Sequence, residues 1–413
     1  MLDGYASSTL NLARLQFAVT TSVHFLFVIL TLGLVTLVAI TQTRFAVGGR
    51  PELGRMARFW GSLYVINYAV GIASGLVMEF QFGLNWSGLS RLTGDVFGAP
   101  LALETLFAFV LESTFLGLWI FGWGRLPKYV HLALIWGVTL TAYLSAFWVM
   151  VANAFLQHPV GYAMDGDTAR LTSLRALLAN PNLTFALAHV LAAALLTGGF
   201  VMAGVSAWHF WRRTADVEFF RRSLRTGLVA AAIGSFLVIG VGYAQFEPIT
   251  RNQPTKLVDG GRLAEAQAQM VAQYGPGDYA PPSWTLGAFD WMTTSGNLLF
   301  LIAVAGLVLT IRDWLVRVRR LRFMLVVLIA TVPVPFLTAI DGWLVREVGR
   351  QPWAVYGVLK TGDAVSDRRP GPMLASLVGF GALLIGLALL DWWLIARHAR
   401  RGPGDEFLLD AAS

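Results

Sequence analysis

Nine stretches of this chain are long and apolar enough to cross a lipid bilayer, and they exclude most other architectures. A helical span needs about 20 successive apolar residues. Such runs lie at about 15–40, 60–83, 100–123, 130–152, 183–208, 227–246, 286–311, 323–345 and 373–396. Lipid cannot satisfy free backbone groups, so runs of this length are expected to be helices. The predicted fold is an all-α polytopic membrane bundle of nine transmembrane helices, a single membrane domain over residues 1–413. The first run is too long for the apolar region of a signal peptide and lacks a basic segment before it, so no cleavable signal is expected. No internal repeat is visible, which argues against an inverted-repeat transporter.

Composition agrees. Hydrophobic residues make up 56% and charged residues 13%, against roughly a quarter charged in soluble domains. A disordered chain is excluded and a soluble enzyme disfavoured. Cysteine is absent, which removes disulfide scaffolds, zinc–thiolate sites, iron–sulfur clusters and c-type haem attachment. The net charge of +7 implies no nucleic-acid partner, because the basic residues sit in short runs between apolar segments.

Those runs predict orientation. Arg44, Arg50, Arg55 and Arg58 follow span 1, Arg125 and Lys128 span 3, Arg212, Arg213, Arg221 and Arg222 span 5, Arg312, Arg317, Arg319, Arg320 and Arg322 span 7, and Arg397, Arg400 and Arg401 span 9. The alternate loops are nearly balanced in charge. By the positive-inside rule the N-terminus is outside and the C-terminus cytoplasmic. Two outer connections are long, 247–285 and 346–372. Long connections are often functional. The first ends irregularly, with Gly275, Pro276, Gly277, Pro281 and Pro282.

A charge inside the hydrocarbon costs at least roughly 2.5–3.5 kcal/mol, so each intramembrane ionisable group needs a reason. His131, His158, His209 and His398 fall near span ends and read as interfacial. His24 and His189 lie within spans 1 and 5, in their outer halves. Met292 opens span 7, Glu347 ends span 8, and Glu79, Glu104 and Glu112 also lie outward. Imidazole, thioether and carboxylate are all iron ligands. A His–Met pair suits a low-spin, electron-transfer haem, whereas a single axial ligand leaves a position open. Each residue also has a structural reading: core histidines, methionine as filler, and neutral acids fixing helix packing. Glu104 and Glu112 are separated by about 12 Å of ideal helical rise, a spacing for a proton relay.

Several strings then resemble the large haem-bearing subunit (subunit I) of cytochrome bd-type quinol oxidases: RLQFAVTTSVHFLFVILTLG (14–33), GLVMEFQFGLNW (75–86), GDVFGAPLALETLFAFVLESTFLGLWIFGW (94–123), SAFWVMVANAFLQHP (145–159), QPTK (253–256) and GWLVREVGRQPW (342–353). The resemblance covers nearly the whole chain. It implies that His189 and Met292 are the axial ligands of a low-spin b haem. It implies that His24 and Glu347 are the proximal ligands of two high-spin haems, one b and one d or a further b in its place. Glu104, Glu112, Ser113 and Ser145 match the family's proton path, and Gln253 and Lys256 its quinol loop. Arg350 is placed to offset a propionate or the Glu347 carboxylate. The implied partners are quinol, dioxygen, the lipid membrane and a second membrane subunit, and the implied location is a prokaryotic cell membrane.

The chain departs from the family on the quinol side. The loop 247–285 is short, and the acid expected soon after the lysine is missing, with Asp259 or Glu265 as substitutes. Asp290 stands where an arginine is usual, two residues before Met292, and Gly124 where an acid is usual. A carboxylate beside the haem predicts a lowered potential and a low-potential donor such as a menaquinol. The rival readings are a divergent branch with another donor or acceptor, a haem-free proton-coupled transporter, and a non-catalytic structural subunit.

Overall fold

The computed structural model describes residues 2–367 and 369–404. Among them, nine helices have the length and apolarity to cross a membrane. These are α1 (Ser8–Gly48), α2 (Pro51–Asn85), α3 (Ser87–Phe121), α4 (Lys128–Gln157), α5 (Pro181–Trp211), α6 (Val217–Asn252), α8 (Trp284–Thr310), α9 (Arg320–Val348) and α10 (Pro370–Arg401). Helix α7 (Gly260–Tyr274) is short and lies between α6 and α8.

The helices outrun the apolar stretches at both ends, because a helix continues into the interface for as long as its residues permit it. Asn180 starts α5, its side chain accepting from Asn182 N at 3.0 Å, and Pro181 occupies the first helical turn. Within α9 the regular helix breaks between Thr331 and Val334. Pro333 lies there and has no N–H to donate. Within α3, Leu106–Glu112 forms a π-helical segment of 7 residues.

Small residues let the central helices approach closely. A side chain on Gly33 of α1 would run into the Ala194 backbone of α5. One on Gly199 of α5 would come to 2.5 Å from Ala231 N of α6, and one on Gly227 of α6 to 2.7 Å from Ala203 N of α5. Close approach of this kind replaces the hydrophobic drive that lipid does not supply. It sets α1, α5 and α6 as the rigid centre, and α8 and α9 pack against them.

Two hairpins and α7 cover the end of the bundle where α4 stops and α5 starts. Strands β1 (Tyr162–Asp165) and β2 (Thr168–Leu171) pair antiparallel, and β3 (Trp353–Val355) pairs with β4 (Leu359–Lys360). The connection 247–285 is more ordered than an irregular loop. It continues helix α6 to Asn252 and then forms α7. Ala266 and Met270 of α7 are buried one helical turn apart, and Met270 packs with Tyr279, Trp353 and Tyr356. Gly275, with φ +87°, terminates α7 in a conformation that other residues resist.

Candidate functional site

His189, near the start of α5, and Met292, near the start of α8, line one partly open cavity. Phe25, Trp343 and Arg346 line it too, and Phe25 stacks on Trp343 with ring centroids 5.6 Å apart. His189 Nδ1 is buried without a hydrogen-bond partner. Gly342 of α9 faces Met292 so closely that a Cβ there would come 2.8 Å from its sulfur. An imidazole and a thioether across an apolar cavity, one with an orphaned nitrogen, form a donor set that suits a flat iron macrocycle.

A second group of side chains surrounds Glu347 at the end of α9. Its Oε1 accepts from Asn153 Nδ2 at 2.8 Å and Gln157 Nε2 at 3.2 Å, and its Oε2 from Arg350 Nη2 at 2.8 Å. A carboxylate has about four acceptor positions, so one remains. Arg346 donates through Nε to Asn153 Oδ1 at 2.6 Å. Gln253 Nε2 reaches Gln157 Oε1 at 2.9 Å, and Lys256 Nζ donates to the Arg346 carbonyl at 3.0 Å. Burial pushes the Lys256 ammonium well below its ordinary range; Arg346 adds to this, Glu347 opposes it and Arg350 adds a little more. Burial also lowers Arg350, with Glu347 opposing, though a guanidinium stays charged.

His24 of α1 stands on a separate support. Its Nδ1 lies 2.8 Å from Ser74 Oγ of α2, and Ser74 donates its only proton to Gly71 O at 2.7 Å. The tautomer with its proton on Nδ1 completes that chain by donating to Ser74. That leaves Nε2 with a free lone pair, the tautomer a metal ligand needs.

The carboxylates of α3 face different neighbours. Ser145 Oγ of α4 donates to Glu104 at 2.9 Å, and Tyr64 of α2 donates to the buried Glu112 at 3.1 Å. Ser113 pairs with Tyr68 of α2. The π-helical segment lies between the two acids, so their separation is not that of an ideal α-helix. Among the described residues no hydrogen bond joins Glu104 directly to Glu112. Asp290 is exposed on α8 and does not line the cavity of His189 and Met292.

The structure thus brings His189 to Met292, Glu347 to Arg350, Gln253 and Lys256 to the Glu347 cluster, and Ser145 to Glu104. It keeps His24 on its own support. Asn153, Gln157, Arg346, Ser74 and Tyr64 were not singled out in the sequence. Asn153 and Gln157 carried a usable signal: two amides four residues apart share one face of an apolar helix. Arg346 and Tyr64 carried none, since their partners lie on other helices.

Comparison with known proteins places this architecture. The family model for cytochrome bd terminal oxidase subunit I matches residues 12–273 and 258–403. The chain is 37% identical to cytochrome bd ubiquinol oxidase subunit 1 of Bacillus subtilis, over 96% of this chain and 94% of that one. It is 31% identical to cytochrome bd-II ubiquinol oxidase subunit 1 of Escherichia coli, over 95% and 97%. The structure of bd oxidase from Geobacillus thermodenitrificans superposes with a TM-score of 0.85 at 25% identity, over 96% of this chain and 99% of that one. The chain belongs to the cytochrome bd terminal oxidase subunit I family, and it is a multi-pass membrane protein.

Proposed function

We propose that this chain is the haem-carrying subunit of a quinol:oxygen oxidoreductase. The observation that carries the reading is the cavity shared by His189 and Met292, at the end of the bundle where Glu347 and the 253–256 turn also lie. His189 and Met292 would hold a low-spin b haem. His24 and Glu347 would hold the two high-spin haems, one b and one d or a further b. When bound, these groups supply one-electron carriers and a centre that reduces dioxygen.

The chain's own residues do the rest. Gln253 and Lys256 present a buried amide and amine beside Gln157 and Arg346, polar partners for the oxygens of a quinol head group. Quinol oxidation releases two electrons and two protons, and dioxygen takes four of each, so protons must reach a dry site. Glu104 with Ser145, and Glu112 with Tyr64 and Ser113, line α3 with groups that can accept and pass a proton. The charge bias of the loops supports an N-terminus outside and a cytoplasmic C-terminus, which puts the quinol turn on the outer face. A second membrane subunit would complete the enzyme and extend the proton path.

The test is haem extraction with reduced-minus-oxidised spectra of the purified complex, together with His189→Ala. The variant should lose the low-spin signal and keep the high-spin ones. A stable wild-type protein without haem would refute the reading.

A further inference from the structure

The cluster around Glu347 sets two guanidinium groups, Arg346 and Arg350, against one carboxylate. Arg350 is paired with Glu347 at 2.8 Å. Lys256 Nζ is committed to the Arg346 carbonyl at 3.0 Å. Arg346 is different. Its guanidinium stays charged and Nε is committed to Asn153 at 2.6 Å, but Nη2 is buried without a partner. Among the described residues, no carboxylate lies within ion-pair distance of it. A charge taken out of water and left unpaired is costly, and an anion relieves that cost. Arg346 lines the same cavity as His189 and Met292, near enough for its charge to act on the His189 ring.

We propose that Arg346 Nη2 is an anion subsite of that cavity, which takes a carboxylate of the group held between His189 and Met292 and raises its midpoint potential. A fixed positive charge near the iron stabilises the reduced, less positive state. Asn153 Oδ1 accepts from Nε and fixes the guanidinium, so Nη2 stays aimed when the anion binds. The inference rests on the haem reading above.

The test is a redox titration of the low-spin signal in the purified complex, comparing Arg346→Gln, Arg346→Lys and Asn153→Ala. Arg346→Gln should lower the midpoint, and Arg346→Lys should hold it closer to wild type because the charge is kept. Asn153→Ala keeps the guanidinium and should lower the midpoint less than Arg346→Gln. If Arg346→Gln sheds the low-spin haem, its retention in Arg346→Lys supports the subsite, and equal loss in both overturns it. An unchanged midpoint in Arg346→Gln overturns it too, as does an equal drop in Asn153→Ala, which would make Arg346 a positioning residue for the Glu347 cluster. A wild-type complex with no low-spin haem refutes the haem reading itself, a separate outcome.

Discussion

Gly342→Ala tests the pairing of α8 with α9 at its tightest point. The added Cβ would lie 2.8 Å from Met292 Sδ, well inside the roughly 3.5–4.0 Å of a relaxed contact. Ser295 Oγ and Thr338 Oγ1 meet across the same two helices at 2.9 Å, one helical turn along from Met292 and Gly342, and resist sliding there. The relief must come from the flexible thioether, which swings away from the cavity. Overpacking of this size costs about 1–3 kcal/mol, a roughly 5- to 150-fold shift against any state that needs the thioether in place. On the proposed ligand assignment, the low-spin haem signal should fall by that factor or convert to a five-coordinate, high-spin form. The signals assigned to His24 and Glu347 should persist. Visible difference spectra with haem quantitation measure both. A full low-spin signal with an unchanged midpoint potential would show that Met292 Sδ is not a ligand.

Two further outcomes are expected. Glu112→Gln should slow oxygen consumption strongly while haem content stays near wild type, because an amide keeps the acid's size and its contact with Tyr64 but cannot pass a proton; wild-type turnover would remove Glu112 from the path. The turn carrying Lys256 should resist limited proteolysis better as pH rises. Burial holds the folded amine well below its ordinary value of 10.5, so between those two values the opened turn binds more protons, and closure gains stability with pH until 10.5 is passed. Lys256→Met should flatten that dependence, and a slope that persists in the variant would assign it to another group.

Nine spans were legible because each must be continuously apolar over about 20 residues, a local property that needs no partner. His24, His189 and Glu347 stood out for a related reason: an ionisable group in such a run is costly and therefore conspicuous. Legibility failed where a role depends on which helix faces which. Arg346 looks in sequence like one more arginine at a span end, and only the packing of α9 against α4, α5 and α8 turns it into an unpaired charge on a cavity wall. Asp290 is a second case: two residues before Met292, it lies more than half a helical turn around α8 from it and is an exposed residue, which adjacency in sequence does not reveal.

By itself, then, the sequence determined the number of spans, their order and the residue types able to bind iron or carry protons, since hydropathy and side-chain chemistry are written residue by residue. Only the tertiary structure decided the partner of His24, a serine 50 positions away on α2, and the π-helical segment between Glu104 and Glu112. It alone also decided the amides that hold Glu347 from α4. The first and the last are contacts between separate helices, and no local pattern records how far apart in the chain two contacting residues will be.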